Sequence, residues 1–207
     1  MKILALEFST SQRAVAISNG EEFIARVVTD DQKTGPLLLI DEVLRKGRID
    51  RMEISVIAIG IGPGSYAGIR SAIAVAQGWQ LAKSVKLRPI SSAEVLAATA
   101  RGEGHRGETH LIIDAQRHEH YHTTWNLTET EQTETKPLSI IGVVEAFELE
   151  SFGPDQPGMR YCKPLHPCAV QLANLAAARN SYVPGFAIEP IYLRQTEFVK
   201  APPPRKL

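Results

Sequence analysis

The chain has 207 residues, 43% of them hydrophobic, which is enough for one large domain or two small lobes with a proper core. Lysine plus arginine and aspartate plus glutamate both number 23, so the net charge is zero and nothing global advertises a polyanion partner. Glu7 interrupts the N-terminal apolar run too early for a signal peptide, and no stretch reaches the roughly 18 apolar residues of a membrane span, so a soluble, cytoplasmic protein is expected.

Coarse periodicity, with turn residues such as Ser9-Thr10-Ser11 and Asn19-Gly20 between the segments, predicts strands at Ile3 to Phe8, Arg13 to Ser18 and Glu22 to Thr29, a three-stranded meander. A helix is expected from Gly35 to Lys46, a β-branched strand from Glu53 to Ile59, and then "GIGPGSYAGIRSAIAVAQG", a glycine segment that opens a second helix running to Lys83. A strand at Leu87 to Ile90 and a helix from Ser92 to Ala100 complete the first half.

Residues 101–108, "RGEGHRGE", are polar, glycine-rich and aperiodic, which places a lobe boundary there and gives lobes 1–102 and 103–207. The pattern then restarts. Leu111-Ile112-Ile113-Asp114 stands in "THLIIDAQRHEHYHTTW" as Leu4-Ala5-Leu6-Glu7 stands at the start, so two related α/β lobes are expected, each with a carboxylate ending its first strand. The second half carries a strand at Lys136 to Ile141, short and longer helices at Val143 to Leu149 and Pro167 to Arg179, and a last strand at Pro190 to Leu193. The tail "KAPPPRKL" is expected to be extended and mobile. Cys162 and Cys168, six apart, match no zinc spacing and are read as reduced thiols.

The glycine segment fails as a phosphate cradle. No lysine follows Gly68 as a Walker loop requires, Ser65 stands where a dinucleotide fingerprint needs glycine, and Pro63 and Ala67 replace the glycines of a nucleophile elbow. Gly64, Gly68, Ala72 and Ala76 instead form a row of small residues at intervals of four, with Arg70, Ala74, Gly78 and Ala82 as a second row beside it. Such rows let another helix approach closely. The preceding "GPLLLIDEVLRKG" spreads leucines and isoleucine over more than one face. One row could pack on the protein's own sheet, but the two helices together carry surplus apolar and small surface, so a partner interface is expected on Leu37, Leu38, Ile40, Leu44, Gly64, Tyr66, Gly68, Ile69, Ala72, Ile73 and Ala76.

"ILALEFSTSQRAVAI", "GIGPGSYAGIRSAIAVAQGWQLA", "IIDAQRHEHY" and "PIYLR" together resemble the bacterial TsaB (YeaZ) family, part of the machinery that makes N6-threonylcarbamoyladenosine at position 37 of tRNAs. The resemblance implies a two-lobed actin-like ATPase (ribonuclease H-like) α/β fold with a reduced second lobe. It also implies a non-catalytic role without cofactor, in which the first two helices dock the catalytic TsaD-type paralogue or a second copy of the chain. A TsaE-type small ATPase would join that pair, and tRNA would be reached indirectly. The family usually has Asp at the position of Glu7, Thr at that of Ala67, and a small and an aliphatic residue at those of His118 and His120. A histidine common near the start of the first helix is missing from "DDQKTGPLL".

Two enzymatic readings compete. In the first, Glu7 and Asp114 face one cleft with Ser9 and Thr10 and hold a magnesium nucleotide, although neither adjoining turn contains the glycine that a phosphate loop needs. In the second, a metallopeptidase-like protein would use His118, His120 and His122, which alternate on one face of a strand but at about 6.5–7 Å spacing, wide for one tetrahedral ion. Direct tRNA contact by Lys83, Lys86, Arg88, Arg101, Arg106 and the tail's Lys200, Arg205 and Lys206 lacks interleaved aromatics and is expected to be auxiliary.

Overall fold

A computed structural model describes residues 1–20, 22–154 and 159–193. The opening meander forms as expected: β1 (Lys2–Glu7), β2 (Arg13–Ser18) and β3 (Phe23–Thr29) are antiparallel neighbours. β4 (Ile54–Gly60) then joins β1 in parallel and β5 (Lys86–Ile90) joins β4, giving the order β3-β2-β1-β4-β5. Parallel additions need crossover helices. These are α1 (Pro36–Gly47) and α2 (Tyr66–Lys83), on one face of the sheet.

The second half repeats the plan. β6 (Gly107–Asp114), β7 (Glu119–Leu127) and β8 (Gln132–Gly142) form an antiparallel meander, while β9 (Ser151–Gly153) and β10 (Cys162–Pro164) add in parallel on the far side of β6. The order β10-β9-β6-β7-β8 matches that of the first sheet strand for strand. Two such sheets define the actin-like, ribonuclease H-like fold. The second is reduced, its parallel strands only three residues long.

Alternation along β1 sorts the cores. Leu4 and Leu6 point to α1 and α2, whereas Ile3 and Ala5 point to the opposite face. That opposite face is covered by α5 (Ala169–Ala177), whose Ala169, Leu172, Ala173 and Ala176 lie on Ile3, Ala5, Ala14 and Ala16. The helix read at 167–179, from the second half of the chain, thus closes the first sheet. Small residues on both sides allow the close approach, and burying Leu172 contributes about 1.5–3 kcal/mol. Arg88 on β5, itself buried, donates to the Ala176 carbonyl at the electronegative end of α5 and to the Tyr182 hydroxyl at 2.7 Å.

α3 (Ser92–Gly102) lies between the sheets, with Val95 in the first core and Ala93, Leu96, Ala97 and Ala100 against Leu111, Ile113, Tyr121 and Trp125. α4 (Val143–Glu148) covers the other face of the second sheet through Ala146, which packs with Ile112, Ile141 and Met159. The strand expected at Pro190 to Leu193 does not form; Ile191 instead donates one backbone bond to Ile61. The "KAPPPRKL" tail lies outside the described residues. Among the described residues no helix is long and apolar enough to cross a membrane.

Candidate functional site

α1 starts with Pro36, whose fixed φ suits the first turn, and ends with Arg45 and Lys46 at the electronegative end of the helix. Leu39, Ile40 and Val43 are buried on the sheet, which leaves Leu37 and Leu38 outside, 66% and 68% exposed. α2 is capped by Ser65, whose hydroxyl accepts from the Gly68 backbone N–H at 3.3 Å.

The structure decides which small-residue row looks outward, and it corrects the expectation. Gly68, Ile69, Ala72, Ile73 and Ala76 are buried against the protein's own sheet. A Cβ on Gly68 would meet the Phe8 carbonyl, and one on Gly64, at φ +141°, would meet that of Ser9. That row therefore serves internal packing: bare glycine is what lets α2 rest on the end of β1. Tyr66 is exposed but stacks on Tyr192 with ring centroids 5.6 Å apart and lies over the cleft rather than against α1.

The adjacent row, Arg70, Ala74, Gly78 and Ala82, is exposed. With Leu37, Ile40 and Leu44 of α1 it bounds an open groove of about 1140 Å³, floored by Val75, Ile49 and Trp79. Arg45, Arg48 and Arg51 stand on its rim with Asp41 and Asp50. A Cβ on Gly78 would meet nothing within 4 Å. An interior helix glycine costs about 0.5–1 kcal/mol relative to alanine, and none of the described residues packs on this one to offset that cost.

A second concavity, about 450 Å³, lies between the strand ends of the two sheets, lined by Ser9, Thr10, Ser11, Tyr66, Asp114, Gln116, Tyr121 and Tyr192 among others. Ser9, Thr10 and Asp114 line it together, whereas Glu7 does not. It is fully buried beneath the turn, accepting from the Ser9 N–H at 3.0 Å and from the Ser92 hydroxyl at 3.1 and 3.2 Å. Burial, only partly offset by these bonds, raises its pKa from 4.5 to about 7. One methylene longer than Asp, Glu7 folds back against Gly60, whose position has no room for a Cβ. The facing turn has Gln116, Arg117 and His118 all at positive φ, between 57° and 64°, with no glycine among them.

That turn also separates the three histidines. His118 sits in it, exposed, whereas His120 and His122 are buried on β7. His122 is joined by His110 of β6, which sequence spacing gave no reason to include; the signal would have been the β6–β7 register. Burial first, then the neighbouring His110 ring and Lys136, hold His122 below its ordinary pKa. Among the described residues no group of three His, Cys, Asp or Glu side chains is placed to hold a metal ion. The cations read as a basic cluster are mostly engaged locally: Lys83 on the carbonyls of Met52 and Ile54, Arg101 on Thr130, Arg106 on Arg101 and His105. Lys200, Arg205 and Lys206 lie outside the described residues.

Two sheets of one strand order, a cleft between their strand ends and an exposed helix pair define a two-lobed actin-like protein. Residues 36–154 match the family model described as TsaD, tRNA N6-adenosine threonylcarbamoyltransferase. The tRNA threonylcarbamoyladenosine biosynthesis protein TsaB of Haemophilus influenzae is 32% identical over 124 residues, 58% of this chain and 52% of the relative. TsaB of Escherichia coli is 28% identical over 123 residues, 58% of this chain and 53% of the relative. The chain's matched region thus spans about half the length of these relatives. Two solved structures from Pseudomonas aeruginosa, one of YeaZ and one of an uncharacterized protein with similarity to peptidase YeaZ, superpose with TM-scores of 0.76 and 0.79. Each is 24% identical, and the match covers 93% of this chain and 99% of theirs, which shows the shared fold. The chain belongs to the family that the TsaD model describes, among its TsaB/YeaZ members.

Proposed function

We propose that this chain is a non-catalytic docking subunit in the synthesis of N6-threonylcarbamoyladenosine on tRNA, seating a TsaD-type catalytic paralogue in the α1/α2 groove. The observation that carries this reading is Gly78: an exposed glycine inside a helix, with open space before it and an apolar groove beside it. A partner helix lying close over Gly78 and Ala74 would offset the glycine's cost and cover Leu37 and Leu38. The docking set is then Leu37, Leu38, Ile40 and Leu44 with Ala74, Val75, Gly78 and Trp79.

The same surface serves a homodimer when the paralogue is absent. A TsaE-type ATPase joins through the complex, tRNA is engaged by the assembly, and the protein works in the cytoplasm. The lobes are taken as 1–102, bearing the docking face, and 103–207, except that α5 returns from the second half to cover the first sheet. The sealed position of Glu7 and the glycine-free turns on both sides of the cleft support a subunit that leaves chemistry to its partner.

Depleting the protein in its source cells and quantifying modified nucleosides of bulk tRNA by mass spectrometry tests the pathway. Threonylcarbamoyladenosine is expected to fall and to be restored by the wild-type gene. Undiminished levels in depleted cells would refute the reading.

A further inference from the structure

Away from the groove and the cleft, three polar atoms converge on the second sheet. β6 and β7 pair so that His110 stands opposite Thr124 and Ile112 opposite His122, which puts His110, His122 and Thr124 on one face. His110 Nδ1 is 3.2 Å from His122 Nε2 and 3.1 Å from Thr124 Oγ1, and Thr124 Oγ1 is 3.4 Å from His122 Nε2. The triangle is nearly equilateral. Around a tetrahedral ion with bonds of about 2.0–2.1 Å, neighbouring ligand atoms stand about 3.3 Å apart, so the three spacings, which are also those of ordinary hydrogen bonds, match the edges of such a polyhedron.

We propose that His110 and His122, with Thr124 as a weaker third donor, form a binding site for a borderline divalent transition-metal ion of the zinc and cobalt type. Imidazole nitrogens select such ions over magnesium or calcium, whose preferred donors are oxygens. The outer ring nitrogen of His110 faces Glu108, with Nε2 3.6 Å from Oε1. Closed from 3.6 Å to hydrogen-bonding distance, that carboxylate would hold the proton on Nε2 and turn the Nδ1 lone pair inward, the support that metal-bound histidines usually have. In the metal-free protein a ring N–H of one imidazole faces the nitrogen of the other; for both nitrogens to bind the ion, the His122 hydrogen moves from Nε2 to Nδ1 of the same ring. His110 is 19% exposed at the side chain, which gives an ion a way in, and the fourth position is left to water. Two imidazoles and a hydroxyl are fewer strong donors than a structural zinc site uses, so binding is weaker than in a zinc finger.

Cobalt titration of the untagged full-length protein, followed by its visible absorption, with zinc as competitor, tests the site. The expected result is one equivalent of cobalt, displaced by zinc, with affinity reduced more than about tenfold in His110→Gln and in His122→Gln, about tenfold in Glu108→Gln, and unchanged in His118→Gln. Far-UV circular dichroism checks that each variant folds; should His122→Gln fail, the partly exposed His110→Gln decides. Substoichiometric binding by the wild type, or undiminished binding by His110→Gln, overturns the proposal.

Discussion

The carbonyl of Phe8 occupies the place where a Cβ on Gly68 would stand, while ten residues along the same helix Gly78 faces open space. One glycine joins the helix to the sheet; the other lies on the outer surface. Gly68→Ala forces β1 and α2 apart and should destabilise the protein by about 1–3 kcal/mol, as overpacking does. Gly78→Ala should stabilise it by about 0.5–1 kcal/mol through helix propensity alone. Urea midpoints of the two variants moving in opposite directions would establish this division; equal shifts would contradict it.

Glu7 predicts a pH dependence with a definite sign. Its pKa in the folded protein, about 7, stands above its ordinary value of 4.5, so the folded state holds the proton more tightly than the unfolded one. The stability linked to this proton is complete below pH 4.5, declines as pH rises toward 7, and is gone above it, a change of about 3 kcal/mol. Glu7→Gln, neutral at every pH and able to keep the bonds to Ser9 and Ser92, should flatten that slope and exceed the wild type in stability at pH 8. Parallel wild-type and variant curves would assign the slope to other groups.

Arg88 ties the last helix to the first sheet. Arg88→Met keeps much of the volume but removes the donors to Ala176 and Tyr182, and should cost about 1.5–3 kcal/mol, as lost hydrogen bonds from a charged group do. Proteolysis within α5 should accelerate with it. Unchanged cleavage and an unchanged unfolding midpoint would show that the apolar contacts of Leu172 hold α5 alone.

Much of the fold was legible because its signals are local. The apolar run Ile3 to Leu6, the turns at Ser9 to Ser11 and Asn19-Gly20, and the restart at Leu111 to Asp114 all state their elements within a few residues. β9 and β10, three residues each, carry no period, and their parallel pairing is set by distant partners. Spacing shows that Gly64, Gly68, Ala72 and Ala76 share a face of a helix but not whether that face is inward. The decisive fact, the nearness of the Phe8 carbonyl, belongs to tertiary packing. His110 went unremarked for a similar reason, since only the β6–β7 register brings it to His122.

The most direct test of the docking account is the mass of a mixture of this protein with the TsaD-type protein of the same cells, measured by light scattering during size-exclusion chromatography. The wild type should elute with that partner as a one-to-one complex. Gly78→Arg, whose side chain projects into solvent and does not lower the melting temperature, should elute apart from it. A Gly78→Arg protein that still forms the complex at wild-type affinity would contradict the α1/α2 groove as the docking surface.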